Sequence, residues 1–125
     1  MTAARAGLSA AVLYVCAERG SILPTLAAER AESEGRALAA ARGLTITELI
    51  TDPYGEPDPL RRDGWTRVRA LVEAGRVGTV IVRWPAVIAP DTAHDLRHRE
   101  IRWLLHGVQL RYSWQPFAAG DGETK

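Results

Sequence analysis

Two side chains that could do chemistry lie at the end of the first apolar segment, which runs from about Ala10 to Ala17. Cys16 is the only cysteine, and Glu18 follows it by two residues. A carboxylate at the end of a strand could act as a general base, and a thiolate near positive charge could react as a nucleophile. A solvated Glu18 and a small, buried Cys16 are the interpretations that these residue types favour. Arg62 could add a cation for a phosphate or another ligand, if the fold brings it to the same cleft.

The histidines have a spacing that suits a metal, but their neighbours do not. His94 and His98 are four residues apart on a predicted helix, which places both rings on one face. The flanking arginines would repel a cation, and no third ligand shares the stripe. We therefore predict a solvated polar face, with no metal site and no cofactor. Gly75 and Gly78 follow a helix instead of opening one, so no glycine-rich phosphate loop is present.

Charge gives little reason to expect nucleic-acid binding. The formal net charge is +1, and the only lysine is Lys125. Several arginines could form a phosphate-binding patch, but acidic neighbours favour an ordinary charged surface; these are Arg61, Arg62, Arg67, Arg69, Arg97, Arg99, Arg102 and Arg111. The single cysteine suits a reducing compartment. No export signal or membrane span is recognisable, so we predict a cytoplasmic protein without membrane contact.

Aromatic residues are concentrated near the end of the chain. Trp65 is the apolar anchor of its predicted helix and is expected in the core. Exposed tryptophan and tyrosine are enriched at protein interfaces, so a second group could form a surface for another copy or a protein partner. Its members are Trp103, Tyr112, Trp114 and Phe117, with Trp84 nearby. Internal packing is the alternative interpretation.

Apolar periodicity and turn residues predict the elements that position these side chains. Strands are expected at about 10–17, 44–50, 79–82 and 108–114, and helices at about 23–42, 64–74 and 92–106. Gly35 interrupts the first helix and predicts a kink or a close contact, Gly43 is expected to end that helix, and Thr92 to Asp95 resembles a capping box. The alternation predicts an α/β fold: one open, mostly parallel sheet with helices on both faces, resolvase-like or flavodoxin-like. We assign 1–8 as a flexible arm, 9–114 as the domain and 115–125 as a flexible tail.

The order of these segments resembles the catalytic domain of serine recombinases, the resolvase and invertase family. Three segments carry the resemblance besides Tyr14: Ala40 to Leu44, Arg61 to Trp65 and Ala74 to Val82. The second of them is similar to the family's Arg-Pro-Gly-Leu segment, in which Arg62 keeps the arginine. The resemblance implies a resolvase-like fold and, through the family alone, a link to DNA recombination or a mobile element.

The family's chemical residues are replaced at each checkpoint. Its first strand has Tyr-x-Arg-x-Ser, with serine as the nucleophile, whereas this chain has Tyr14-Val15-Cys16-Ala17-Glu18. The family's Asp-Arg-Leu-x-Arg loop falls on Ala86 to Pro90, all of them apolar residues. Eleven residues follow Trp114, which in a complete chain leaves no room for the family's long dimer helix and DNA-binding domain.

We therefore predict a serine-recombinase-like pseudoenzyme that lacks catalytic residues and acts by protein association, as an oligomer or with a protein partner. DNA enters this prediction only through the family resemblance. The alternative is a small-ligand-binding or divergent enzyme domain with a rebuilt pocket at the strand ends, formed by Glu18, Cys16 and Arg62.

Overall fold

The computed structural model describes residues 9–114, within which four strands form one parallel sheet. The strands are β1 (Ala10–Val15), β2 (Thr45–Thr51), β3 (Thr79–Val82) and β4 (Gln109–Tyr112), in the spatial order β2-β1-β3-β4. The helices are α1 (Leu26–Arg42), α2 (Asp63–Glu73) and α3 (His94–Leu105), with 3-10 turns at Pro59–Arg61, Pro85–Val87 and Asp91–Ala93. The predicted α/β class is confirmed, and every strand pair is parallel. The predicted arm 1–8 and tail 115–125 lie outside the described residues.

Helices cover both faces of the sheet, as predicted. Both faces of β1 and β3 are buried, because all ten of their side chains are inaccessible or nearly so. Alternate residues of β1 face opposite ways, so Leu13 packs with α1 while Val12 and Tyr14 join the larger cluster around Trp65. The fully buried continuous run is what the sequence of a central parallel strand predicts.

Gly35 marks a close approach of α1 to the sheet, which is the second of the two predicted possibilities. A Cβ at this position would lie 2.8 Å from Cδ2 of Leu13. Because β1 and α1 pack at this distance, only a residue without a side chain fits here. Gly43 ends the helix in the left-handed conformation, with φ of 69°, as the sequence predicted.

The predicted capping box at Thr92 to Asp95 is wrong. Helix α3 begins at His94 after a 3-10 turn, and no side chain in residues 9–114 caps its first turn. Asp91 instead pairs with Nη2 of Arg97 at 2.5 Å, and Nε of Arg97 donates to the carbonyl of Ala89. The long arginine therefore fastens the turn before α3. The first helix also begins later than predicted, at Leu26 after Thr25.

Candidate ligand-binding cleft at the strand ends

A cleft of about 660 Å³ lies beyond the carboxyl ends of β1 and β3. The chain turns from β1 outward to β2 on one side, while β3 and β4 lie on the other, so the loops diverge between the two central strands. Ligands of open α/β sheets bind at such a switch point. The cleft volume also lies within the range of about 300–1,000 Å³ that is typical of small-molecule sites.

Three predicted site residues line this cleft: Cys16, Glu18 and Arg62. Cys16 and Glu18 are there because they follow β1 directly. Arg62 reaches the same place from the turn that leads into α2, where its backbone is extended. The sequence therefore predicted three residues that line one cleft, although Arg62 lies far from Cys16 and Glu18 in the chain.

Arg62 is held in place by a buried network. The residue is 6% exposed; Nε donates to the carbonyl of Glu56 at 2.9 Å, and Nη1 donates to the carbonyl of Val87 at 2.8 Å. Nη1 also donates to the hydroxyl of Tyr14 at 3.3 Å, and that hydroxyl donates to Oδ2 of Asp52 at 2.6 Å. Much of the hydrogen-bonding capacity of Arg62 thus orders the loops around the cleft.

Asp52 links this network to α2 and is the site residue that sequence reasoning missed. Its Oδ1 accepts the backbone N–H of Gly64 at 2.7 Å, and its Oδ2 accepts that of Trp65 at 2.9 Å. These N–H groups lie in the first turn of α2, where no intrahelical acceptor exists, so Asp52 caps a helix that is eleven residues away in sequence. A close approach signals this role, since a Cβ on Gly64 would lie 2.6 Å from Oδ2 of Asp52. A sequence pattern for local caps cannot find a cap supplied from another loop.

Cys16 is a buried wall residue with a weakly acidic thiol. The residue is 7% exposed, and Sγ lies 3.6 Å from the carbonyl oxygen of Pro53. Burial raises the pKa of the Cys16 thiol, while the nearby Arg62 guanidinium lowers it by a smaller amount. The thiolate, which is the reactive form, is therefore disfavoured. Burial likewise raises the pKa of Tyr14 well above its usual range.

Glu18 is exposed and has no hydrogen bond or ion pair with any residue in 9–114. Arg19, its neighbour, lines a second hollow between β1, β2 and α1. Arg83, which also lines the cleft, is paired with both carboxylate oxygens of Glu34 at 2.8 and 3.0 Å and stacks on the ring of Trp84. Its charge is therefore already neutralised within the chain.

The segment in which the family resemblance places catalytic arginines contributes apolar wall. Ala86, Val87 and Pro90 line the cleft, while Ile88 and Ala89 are fully buried. Val87 also supplies the carbonyl that accepts from Arg62. This loop therefore packs as part of the core and carries no cation.

The predicted aromatic surface is divided by the fold. Trp103 and Tyr112 are partly buried against the core, and the guanidinium of Arg69 lies 4.0 Å from the ring centre of Trp103. Trp114 remains 42% exposed and meets the ring of Trp84 edge-on, with centroids 5.3 Å apart. Phe117 lies outside the described residues. Of the described members, only Trp114 keeps a large exposed surface.

The structure also places the two histidines and several of the arginines that the sequence singled out. The rings of His94 and His98 lie 4.7 Å apart, and residues 9–114 contain no group of three metal-ligating side chains. Several predicted patch arginines pair with carboxylates: Arg67 with Glu48, Arg69 and Arg99 with the fully buried Glu100, and Arg97 with Asp91. No helix in the described part of the chain is long and apolar enough to cross a membrane.

Comparison with solved structures identifies the fold. The C-terminal catalytic domain of ISC1926 TnpA, an IS607-like serine recombinase, matches with a TM-score of 0.67 and 20% identity, over 90% of this chain and 74% of that one. The N-terminal catalytic domain of TP901-1 integrase matches with a TM-score of 0.61 and 14% identity, over 82% and 75% of the two chains. The first open reading frame of transposon ISC1904 from Sulfolobus solfataricus P2 gives 0.59 and 15%, over 85% and 68%. No protein-family model and no curated protein matches the sequence.

The chain therefore has the fold of serine recombinase catalytic domains. The resemblance seen in the sequence is confirmed at the level of the fold, over most of the chain's length. At identities of 14 to 20%, the similarity shows a shared fold and does not show that this chain shares the activity of these neighbours.

Proposed function

We propose that this chain is a serine-recombinase-fold domain that does not transfer phosphoryl groups on DNA. The observation that carries this proposal is the state of the cleft: its arginines are bonded within the chain, and the segment directly after β1 offers a buried thiol and a carboxylate. Phosphoryl transfer depends on a positioned nucleophile and on cations that stabilise charge in the transition state. Within the described part of the chain Arg62 retains one nitrogen without a partner, Nη2, which is too little for that task.

A supercoiled-plasmid assay tests this proposal. The purified chain is expected to leave the plasmid supercoiled, with and without divalent metal. Glu18→Gln and Cys16→Ala serve to identify any activity that does occur. Nicking by the wild-type chain that either substitution abolishes would refute the proposal, because the cleft would then be catalytic.

We propose further that the domain acts by association with a second copy of itself. Support comes from exposed apolar side chains on loops that follow three of the four strands: Ile22 after β1, Tyr54 after β2 and Trp114 after β4, exposed by 87%, 59% and 42%. In a parallel sheet these loops share one edge, so the side chains concentrate at the carboxyl end of the sheet. A large exposed apolar surface typically marks an interaction site. A role on DNA is part of this proposal only through the likeness to recombinases.

Light scattering of the full chain tests the association. A defined oligomer is expected, and Ile22→Glu and Trp114→Glu should each dissociate it. Leu105→Glu is the matched control, since Leu105 is 59% exposed but lies at the end of α3 that precedes β4, at the opposite edge. A strict monomer, or an oligomer that only Leu105→Glu dissociates, would contradict this surface.

The second candidate function is the binding of a small molecule in the cleft. The specific observation in its favour is a buried guanidinium with unused hydrogen-bonding capacity in the wall of a cavity of suitable size. The two functions are compatible. Of the three exposed apolar residues, Tyr54 lines the cleft, whereas Ile22 and Trp114 are not among its lining residues.

A further inference from the structure

We infer that the strand-end cleft binds a small, mainly apolar molecule with a single carboxylate. This inference rests on the second candidate function above and specifies the chemistry of its ligand. Three properties of the cleft lead to it: the unused nitrogen of Arg62, the apolar walls and the balance of charges.

Arg62 supplies the polar contact. Nε and Nη1 are bonded to Glu56, Val87 and Tyr14, whereas Nη2 has no hydrogen-bond partner among residues 9–114. The Nη2 nitrogen is not fully enclosed, since the only fully buried side-chain polar atom without a partner in this part of the chain is Oγ of Ser113. Arg62 lines the cleft and its Nη2 is accessible, so we assign the unused N–H groups to the cleft wall. A guanidinium fixed by three bonds is already ordered, so a ligand oxygen that accepts from Nη2 loses little to reorganisation.

The walls favour an apolar body. Side chains of α1, β1 and the loop after β3 surround the cavity: Ala27, Ala31, Val15, Ala86, Val87 and Trp84. Typical small-molecule sites combine such surfaces with a few placed polar groups that fix orientation. An aromatic or branched aliphatic body would fill this space.

The charges limit the ligand to a single negative charge. Arg83 is neutralised by Glu34, so among residues 9–114 Arg62 is the one cation lining the cleft that has no bonded carboxylate. Glu18 and Glu56 also line the cleft, and the Glu18 carboxylate has no partner within the described range 9–114. Both would repel a phosphate dianion, which binds best where several cations meet. A carboxylate needs one charge-assisted bond, which Nη2 can give.

Ligand-observed NMR on the full chain tests this inference with four probes: benzoate, benzamide, benzylammonium and inorganic phosphate. Benzoate should bind tightest, with Kd about tenfold below that of benzamide, which keeps the ring but loses the charge-assisted bond. Benzylammonium and phosphate should bind more weakly than benzamide. Glu18→Gln should tighten benzoate binding, since it removes a neighbouring negative charge.

Two further measurements locate the site. Ala86→Trp places a large ring into the cleft from an exposed wall position and should abolish benzoate binding, while Ala37→Trp on the exposed side of α1 should not. Benzoate should also slow the alkylation of Cys16, the only cysteine, by N-ethylmaleimide.

The outcomes distinguish failure of the inferred ligand class, a carboxylate, from failure of the proposed ligand-binding function. Tighter binding of benzylammonium or phosphate, or weaker benzoate binding in Glu18→Gln, overturns the carboxylate while leaving a ligand-binding cleft. Absence of binding by all four probes overturns both. Benzoate binding that survives Ala86→Trp places the site elsewhere and also overturns the inference.

Discussion

Removing the Asp52 carboxylate should destabilise the domain far more than its partial exposure suggests. The Asp52→Ala substitution takes away three hydrogen bonds at once, from Gly64 N, Trp65 N and the hydroxyl of Tyr14. Loss of a helix cap costs about 1 kcal/mol, and a buried hydroxyl left without its acceptor costs about 1–3 kcal/mol. We therefore expect the free energy of unfolding to fall by about 2–4 kcal/mol.

Urea unfolding followed by circular dichroism measures this loss. Asp63→Ala is the matched control, because Asp63 is an exposed acid in the first turn of the same helix and should change stability by less than about 0.5 kcal/mol. Tyr14→Phe and the double variant with Asp52→Ala complete a double-mutant cycle. Since the two side chains share a 2.6 Å bond, their effects should be non-additive by about 0.5–3 kcal/mol.

Two results would refute this reasoning. If Asp52→Ala and Asp63→Ala lower stability equally, the carboxylate of Asp52 is not the cap of α2. If the effects of Asp52→Ala and Tyr14→Phe simply add, the hydroxyl and the carboxylate are not energetically coupled.

Three further predictions concern the core. Gly35→Ala should lower the free energy of unfolding by about 1–3 kcal/mol, because the new methyl overlaps Leu13, although alanine usually stabilises a helix interior. Ser33→Ala, at an exposed position of α1, is the control. A Gly35→Ala variant more stable than the wild type would contradict the close approach. Glu100→Ala should lower the free energy of unfolding, measured in urea, by about 3 kcal/mol, because it leaves Arg69 and the indole N–H of Trp65 without their buried acceptor. A loss no larger than that caused by Glu73→Ala, at an exposed position, would contradict this. The free energy of unfolding should fall as pH rises above 9.0, the ordinary pKa of a thiol. The reason is that the fold raises the pKa of both Cys16 and Tyr14 and so favours their protonated forms. A free energy of unfolding that stays constant or increases between about pH 8 and about pH 10.5 would exclude this linkage.

The sequence was sufficient for the architecture because the strongest signals are local. The continuous apolar run of β1, the β-branched residues of β3 and the glycine that ends α1 each specify an element without outside help. The ends of the elements were less predictable. The capping box predicted at Thr92 is wrong, and the side chain of Arg97 instead holds the turn before α3 by its hydrogen bond to the carbonyl of Ala89. Boundaries depend on such tertiary contacts more than on local pattern.

The site was predictable in part for the same reason. Cys16 and Glu18 follow a recognisable strand, so their position at the edge of the sheet could be inferred. Asp52 and Glu100 could not, because each is defined by partners from distant segments, and nothing in their neighbourhoods distinguishes them from surface acids. The fate of Trp103 was equally hidden, since its cover by Arg69 arises only when α2 and α3 meet.

The strand order has a consequence for the way this chain reaches its native state. Ala11, near the start of the domain, pairs with Thr79, whereas β1 and β2 alone form a two-stranded sheet in which the other edge of β1 is unpaired. During synthesis the first strand must therefore wait until more than half of the chain has emerged before its central neighbour exists. Pairing of segments so far apart in sequence is intrinsically slow, and the waiting strand is apolar on both sides. A nascent chain stalled before Thr79 is thus expected to be aggregation-prone, and the emergence of β3 is the event that commits it to the folded state.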